Sequence, residues 1–255
     1  MTIIFTEMLK WKRNKTVCGI FILTAILGLF AVERACSISR NSPIMDSFGD
    51  LYTLAFKNLT SLFLPIVLGM FATTLFFDEQ KNDTLKGLLI IPVSKTQLYF
   101  SKTAVVLLMS LGLCLFTFVI CIVGGFIAGG FPDLNVDTIL QAGVLFLAGG
   151  VLIPVAMLPI IFLATLSKGY ILPIGASLLY LVPVVIAPSQ LMGLHPLASV
   201  MGIYSHISSA AVEMVNSWTG NAIITASPIT CFISLLVIGI ISTIASVIAL
   251  QKKTF

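Results

Sequence analysis

Few side chains of this 255-residue sequence have the types and spacing that chemistry requires. Glu79 and Asp83 lie four residues apart, which fits either a pair of acidic site residues or two solvated loop charges. His195 and His206 have no second potential metal ligand nearby in the sequence, and the five cysteines form no CxxC pair. The sequence also contains no GxxxxGK[ST] phosphate loop. We therefore expect no catalytic, metal or cofactor site, and any ATP hydrolysis must occur on another subunit.

Composition points to the lipid bilayer as the surroundings of the chain. Hydrophobic residues make up 58% of the sequence and charged residues only 9%, with a mean hydropathy of +1.10. A soluble domain carries about 25% charged residues, so this chain has too few to cover a water-exposed surface. The composition excludes disordered, nucleic-acid-binding and disulfide-rich secreted proteins.

The uncharged stretches predict six transmembrane helices in a single domain over residues 1–255, because a span needs about 20 mostly apolar residues. The expected spans are residues 16–32, 58–77, 103–131, 138–167, 170–187 and 223–250. No Asp, Glu, Lys or Arg falls within these ranges, and that absence argues against an ion-coupled secondary transporter. Prolines are expected to kink the fourth and fifth spans, at Pro154, Pro159, Pro173 and Pro183.

The basic residues predict the orientation of these spans. An even number of spans puts both termini on one side, and all but three of the 14 Lys and Arg residues fall on that side. The exceptions are Arg34, Arg40 and Lys57. Because basic residues concentrate in cytoplasmic segments, both termini are predicted to be cytoplasmic.

Glycines recur in the third and fourth spans. Their spacing, which includes a GxxxG pair, permits close helix approach, although glycine is also common in ordinary transmembrane helices. They are Gly124, Gly125, Gly129, Gly130, Gly143, Gly149 and Gly150. Between the fifth and sixth spans, residues 194–218 mix apolar residues with Ser and His, which fits either short helices half-buried at the outer interface or a loose polar loop.

The loop between the second and third spans has a pattern of its own. Asp83 is a suitable N-cap for a two-turn helix over residues 84–91, with leucines on one face. Pro92 ends that helix, and Ser94 with Gln97 forms a capping box that opens the third span. The loop is thus predicted to hold a short amphipathic helix on the cytoplasmic face, a feature suited to binding another protein.

Two segments resemble the permeases of ABC-2 type exporters. FDEQKNDTLK at 77–86, followed by Leu88 and Leu89, PVSK at 92–95 and then Lys102, is similar to the family's loop that contains the coupling helix. FTEMLKWKRNK at 5–15 resembles the interfacial helix of the bacitracin-resistance and lantibiotic-immunity branch, with Met8 where Leu is usual.

The resemblance implies partners and a function. The partners are an ABC ATPase dimer, a second permease subunit (identical or different) and the lipid bilayer. ATPase coupling would fall to Glu79, Asp83, Thr84, Leu85, Lys86, Leu88, Leu89 and Pro92. The interfacial helix, residues 1–15, would use Glu7, Lys10, Trp11 and Arg13. The implied function is export of an amphipathic peptide antibiotic from a bacterial cell membrane, with another lipid-like or glycan substrate, or ion-coupled transport, as alternatives.

Overall fold

A computed structural model describes residues 5, 8, 15–41, 47–81, 94–128, 131–167, 169–220 and 226–252. These segments form α-helices and one π-helical segment, and contain no β-strand. The elements are α1 (Lys15–Asn41), α2 (Phe48–Asn58), the π-helical segment (Leu59–Phe63), α3 (Leu64–Lys81), α4 (Lys95–Ile127), α5 (Val136–Ala156), α6 (Leu158–Leu166), α7 (Ile171–Ile186), α8 (Pro188–Leu191), α9 (Pro196–Tyr204), α10 (Ser209–Thr219) and α11 (Pro228–Lys252).

Five helical stretches are long and apolar enough to cross a membrane, so the all-α membrane class is confirmed. They are Lys15–Arg34, Phe48–Phe77, Lys95–Ile127, Val136–Ala156 and Pro228–Lys252. Helix α7 lies where the fifth of six spans is predicted, but its 16 residues fall short of the roughly 20 that cross the hydrocarbon. Its side chains at Ile171, Leu179 and Ile186 are nevertheless 89%, 74% and 76% exposed.

Two helices begin earlier than the uncharged stretches suggest. The Ser47 hydroxyl accepts from the Asp50 amide at 3.0 Å, and the Ser94 hydroxyl accepts from the Gln97 amide at 3.1 Å. These caps satisfy free amides at the helix starts, so α2 and α4 begin there.

These starts put charged residues within the two helices, before the predicted spans. Asp50 and Lys57 lie in the stretch Phe48–Phe77, and Lys95 and Lys102 lie in α4. These residues precede the ranges predicted for the spans, 58–77 and 103–131, so the helices extend beyond the uncharged stretches. A charged side chain does not end a helix, which continues until its terminal amides or carbonyls find other partners.

Close helix contacts depend on several of the glycines noted in the sequence. A Cβ atom at Gly149 would lie 2.6 Å from the Phe56 ring, and one at Gly124 would lie 2.4 Å from Val32. The Phe56 ring packs edge-on against Phe146, with centroids 5.2 Å apart, and against Tyr204 at 5.0 Å. Glycine on α5 thus lets an aromatic cluster form where α2, α5 and α9 meet.

The predicted kink in the fourth span is a complete interruption at Met157. The amides of Ile160 and Ile161 both donate to the Met157 carbonyl at 3.0 Å, so a new helix starts there. The Ala156 carbonyl instead accepts from the Tyr180 hydroxyl at 2.8 Å. A side chain from α7 therefore replaces the backbone donor that the interruption removes.

Three short helices, α8, α9 and α10, connect α7 to α11. Nearly all of α9 is buried, including Leu197, Val200 and Tyr204. A Cβ atom at Gly202 would lie 2.7 Å from the Cys231 sulfur of α11. This helix is thus an integral part of the bundle, where the sequence suggested a half-buried segment.

We predict that Gly150→Ala destabilises the bundle. The new Cβ atom would lie 2.8 Å from Leu111 Cδ2 and 3.1 Å from Leu111 Cα. Because the second contact is to backbone, α4 and α5 must separate, at a cost of about 1–3 kcal/mol. Thermal unfolding in detergent should show a lower midpoint.

The matched control is Gly175→Ala on α7, where no atom lies within 4 Å of the added Cβ. Alanine has the higher helix propensity, so this variant should unfold at the parental midpoint or slightly above it. Equal midpoints for the two variants would contradict the close contact between α4 and α5.

Candidate functional sites at the two ends of the bundle

Most residues of the predicted ATPase contact lie outside the described part of the chain. These are Asp83, Thr84, Leu85, Lys86, Leu88, Leu89 and Pro92, and the same holds for Glu7, Lys10, Trp11 and Arg13 of the predicted interfacial helix. Glu79 belongs to α3, which is helical through Lys81. The structure thus describes the two helices, α3 and α4, from which the loop extends.

A buried lysine joins these two helices near the loop. Lys102 of α4 is only 1% exposed, and its ammonium group donates to the Leu75 carbonyl of α3. The same ammonium lies 4.9 Å from the centroid of the Phe76 ring, a distance that allows a cation–π contact. The ends of α3 and α4 that carry the loop are therefore held together.

The loop end of α4 also adjoins the end of the last helix. Lys95 donates to the Gln251 carbonyl at 3.4 Å, which puts the start of α4 beside the final turn of α11. This end of the bundle is the one that carries the predicted coupling loop.

A cleft lies between α2 and α10, with a volume of about 270 Å³. Helix α2 contributes Asp50, Thr53, Leu54 and Lys57. Helix α10 contributes Ala210, Glu213, Met214 and Ser217. Both sets have the spacing i, i+3, i+4, i+7, so each comes from one face of its helix. We refer to this space as the α2–α10 cleft.

Three charged side chains are spread along the α2–α10 cleft. At one end Lys57 donates to the Ser217 hydroxyl at 3.0 Å, and its ammonium lies 5.8 Å from the centroid of the Trp218 ring. Asp50 lies two helical turns before Lys57, a rise of about 10 Å. Asp50 is therefore near the start of α2, whereas Glu213 lies in the middle of α10, one turn before Ser217.

A remote aspartate holds the start of α2 in place. The Asp133 carboxylate accepts from the Phe48 amide at 2.6 Å and from the Gly49 amide at 3.2 Å. Together with the Ser47 cap, it satisfies the first three amides of α2. The segment before α5 thus fixes the start of α2, where Asp50 lies.

Sequence reasoning missed this cleft. Asp50 and Lys57 were assigned to a segment before a span that began at 58, and Glu213 lies far away in the chain. The available signal was the seven-residue spacing of Asp50 and Lys57, which puts them on one face once Ser47 is taken as the N-cap.

The histidines have different surroundings. Burial lowers the pKa of His195 to about 4, and its ring packs 4.3 Å from that of Tyr180, so it is neutral at physiological pH. His206 is exposed. Within the described segments, no group of three or more His, Cys, Asp or Glu residues is suited to hold a metal ion.

The class of protein follows from comparison with known families. Residues 3–184, most of the chain, match the family model described as ABC-2 family transporter protein. The chain therefore belongs to the ABC-2 transporter family, and it is a membrane permease of an ABC transporter.

A relative of known name indicates to which branch of the family the chain is similar. Over 174 residues the chain is 28% identical to the bacitracin transport permease protein BCRB of Bacillus licheniformis, with 61% of this chain and 83% of that protein covered. The resemblance to the bacitracin-resistance branch is confirmed. Members of the family are transport subunits of the cell membrane, not catalysts.

We predict that Asp133→Ala destabilises the start of α2. Two amides lose their acceptor, which costs about 1–2 kcal/mol by analogy with the loss of a helix cap. Hydrogen exchange of the amides at positions 48–50 should accelerate, and the thermal midpoint in detergent should fall.

Asp137→Ala serves as the control, since Asp137 is an exposed residue in the first turn of α5. It removes the same charge from nearby without touching α2, and exchange at 48–50 should stay at the parental rate. Parental exchange in Asp133→Ala would rule out the capping role.

Proposed function

We propose that this chain is the membrane-spanning subunit of an ATP-driven exporter that expels an amphipathic peptide antibiotic and so confers resistance or self-immunity. Its likeness to BCRB, a permease named for bacitracin transport, carries this proposal. Membership of the ABC-2 family supplies the mode of transport.

A dimer of ABC ATPase subunits is the proposed source of energy. It would bind the loop between α3 and α4, where residues 84–91 are predicted to form the coupling helix. The contact of Lys102 with the Leu75 carbonyl supports this mechanism, because a push on the loop would move α3 and α4 together. A second permease subunit would complete the pathway.

The lipid-facing surface supports an amphipathic substrate. Large apolar side chains are exposed on α1, α4, α7 and α11, and an amphiphile partitions into the bilayer that surrounds them. Such a substrate reaches the protein from the membrane, so its pathway needs no continuous polar channel.

Ion-coupled transport is the alternative from a different class. The predicted spans contain no Asp, Glu, Lys or Arg, which argues against it, because such transporters need ionisable groups at membrane depth. Family membership is what favours ATP as the energy source. Export of a lipid-like molecule or glycan would use the same ATPase and differ only in substrate.

The ATPase contact is testable by substitution on the predicted coupling helix. Leu88→Asp and Leu89→Asp each place an unpaired charge in an apolar contact, which costs several kcal/mol. We expect recovery of the ATPase with the tagged permease to fall strongly, while the amount of permease in the membrane stays constant.

Ser209→Asp is the matched control, because it adds the same charge at an exposed first position of α10. An acidic residue is favourable there, so this variant should retain the ATPase. Full recovery of ATPase with Leu88→Asp and Leu89→Asp would contradict the assignment of the coupling helix.

The substrate class is testable in cells. Expression of the permease with its ATPase should raise the inhibitory concentration of bacitracin-like or lantibiotic-like peptides several-fold, because export lowers their concentration in the membrane. Disabling the ATPase should abolish the difference. Equal sensitivity with and without the transporter, across several such peptides, would remove the antibiotic-export proposal and favour a lipid-like or glycan substrate.

A further inference from the structure

We propose that the bundle contains a hinge, about which α3, α6 and α7 turn as one unit relative to a second unit of α2, α5 and α9. We call these the α3 unit and the α5 unit. The Tyr180 hydroxyl of the first donates to the Ala156 carbonyl of the second and holds the two in their present arrangement. Only the link from this hinge to an ATPase, through the loop that α3 carries, rests on the proposed function.

The helices of the α3 unit approach each other closely at Gly69. A Cβ atom at this position of α3 would lie 2.9 Å from Ser177 Cβ of α7 and 3.7 Å from Ile160 Cγ2 of α6. Helices α6 and α7 also pack directly against each other. Because helices in such close contact interdigitate, a displacement of α3 carries α6 and α7 with it.

The α5 unit is joined by the aromatic cluster. The buried Phe56 ring of α2 packs edge-on against Phe146 of α5 and against Tyr204 of α9. A Cβ atom at Gly149 of α5 would lie 2.6 Å from the Phe56 ring and 3.4 Å from the Tyr204 hydroxyl. The three helices of this unit are therefore interlocked at one point by large rings.

Each direct connection between the two units departs from regular α-helix. Between α2 and α3 it is the π-helical segment, where the Leu64 amide donates to the Leu59 carbonyl, five residues earlier. Between α5 and α6 it is the break at Met157. Between α7 and α9 it is the short helix α8 and then Gly193, which has a φ of +86°. Helices change direction at π-helical turns and at breaks, so the chain can bend at each connection.

Packing is incomplete where the two units meet. A cavity of about 10 Å³ lies between Thr60 of the π-helical segment, Ile153 of α5 and Leu181 of α7, which is room for about one water molecule. A groove of about 260 Å³ along α11 borders Val155 and Leu158, on either side of the break. A closely packed interior resists deformation, so these spaces allow the units to turn without a clash.

Helices α4 and α11 lie along both units and limit the movement. Leu111 of α4 contacts α5 at Gly150, whereas Lys102 of the same helix donates to α3. Helix α11 packs against both α9 and α6. A hinge enclosed in this way permits a small rotation of one unit against the other and not their separation.

Hydrogen exchange of the permease alone, in detergent, tests the hinge without an ATPase or a substrate. Tyr180→Phe removes the hydrogen bond to Ala156 and keeps the ring. Loss of this bond should raise the population of turned molecules about tenfold, and in that population the backbone hydrogen bonds of the connections open. We expect exchange to accelerate by about the same factor at amides 60–64 and 157–161, and to stay parental at 51–56 and 69–77, inside the units.

Two further variants complete the test. Tyr52→Phe is the matched control, because it removes a hydroxyl that is hydrogen-bonded to Ser208 at 3.3 Å, away from the connections, and exchange at 60–64 and 157–161 should stay parental. Pro159→Ala acts in the opposite direction. It supplies the amide that proline lacks, so helix can continue from α5 into α6, and exchange at 60–64 and 157–161 should slow together.

Faster exchange at 157–161 alone in Tyr180→Phe would overturn the proposal, because Tyr180 would then only cap a local break. Parental rates at 60–64 and 157–161, acceleration that extends to 51–56 and 69–77, or acceleration at 60–64 in Tyr52→Phe would also overturn it. So would Pro159→Ala if exchange at 60–64 does not slow. The proposed function fails separately, when cells with the transporter gain no peptide tolerance, and that result leaves these exchange rates unchanged.

Discussion

Lipid offers no hydrogen bonds, so every backbone amide and carbonyl in the hydrocarbon must find its partner within the protein. Regular helix meets this requirement along most of the chain, and polar side chains meet it where the helix stops. The Tyr180 hydroxyl satisfies the Ala156 carbonyl at the break between α5 and α6. The Asp133 carboxylate satisfies the first two amides of α2. Both contacts connect elements that are distant in sequence, so satisfying the backbone also fixes the fold.

The same requirement shapes the two ends of the bundle. At the end where α3 and α4 meet the loop that connects them, the buried Lys102 ammonium donates to the Leu75 carbonyl and joins the two helices. At the start of α2, Asp133 and Ser47 hold the turn that positions Asp50 in the α2–α10 cleft. We propose that the first of these ends receives force from an ATPase through that loop. The spans and the π-helical segment Leu59–Phe63 lie between them.

Local patterns in the sequence predicted much of this structure. Long apolar stretches gave the membrane class and five of the helices, Ser94 marked the start of α4, and the prolines marked the break near Met157. Two specific segments were sufficient to indicate the ABC-2 family, which the comparison with family models confirms.

The features that the sequence did not predict depend on contacts between residues that lie far apart in the chain. The first turn of α2 was missed because its partner, Asp133, lies 85 residues from Phe48. Because the second span was predicted from the uncharged stretch alone, its predicted start at residue 58 was later than the start of α2. Asp50 and Lys57 therefore fell outside it. The cleft was missed for the same reason, since Glu213 joins Asp50 only through the packing of α10 on α2. The buried position of Lys102 likewise depends on a carbonyl of another helix.

The source of energy is the central claim, and reconstituted transport tests it most directly. The permease with its ATPase would be placed in vesicles, and the movement of a fluorescent amphipathic peptide across the bilayer would be followed with ATP, with a non-hydrolysable ATP analogue, and with an imposed proton or sodium gradient. The account predicts movement with ATP that requires the ATPase and does not occur with the analogue or with a gradient alone. Movement by the permease without the ATPase, driven by an ion gradient, would contradict it.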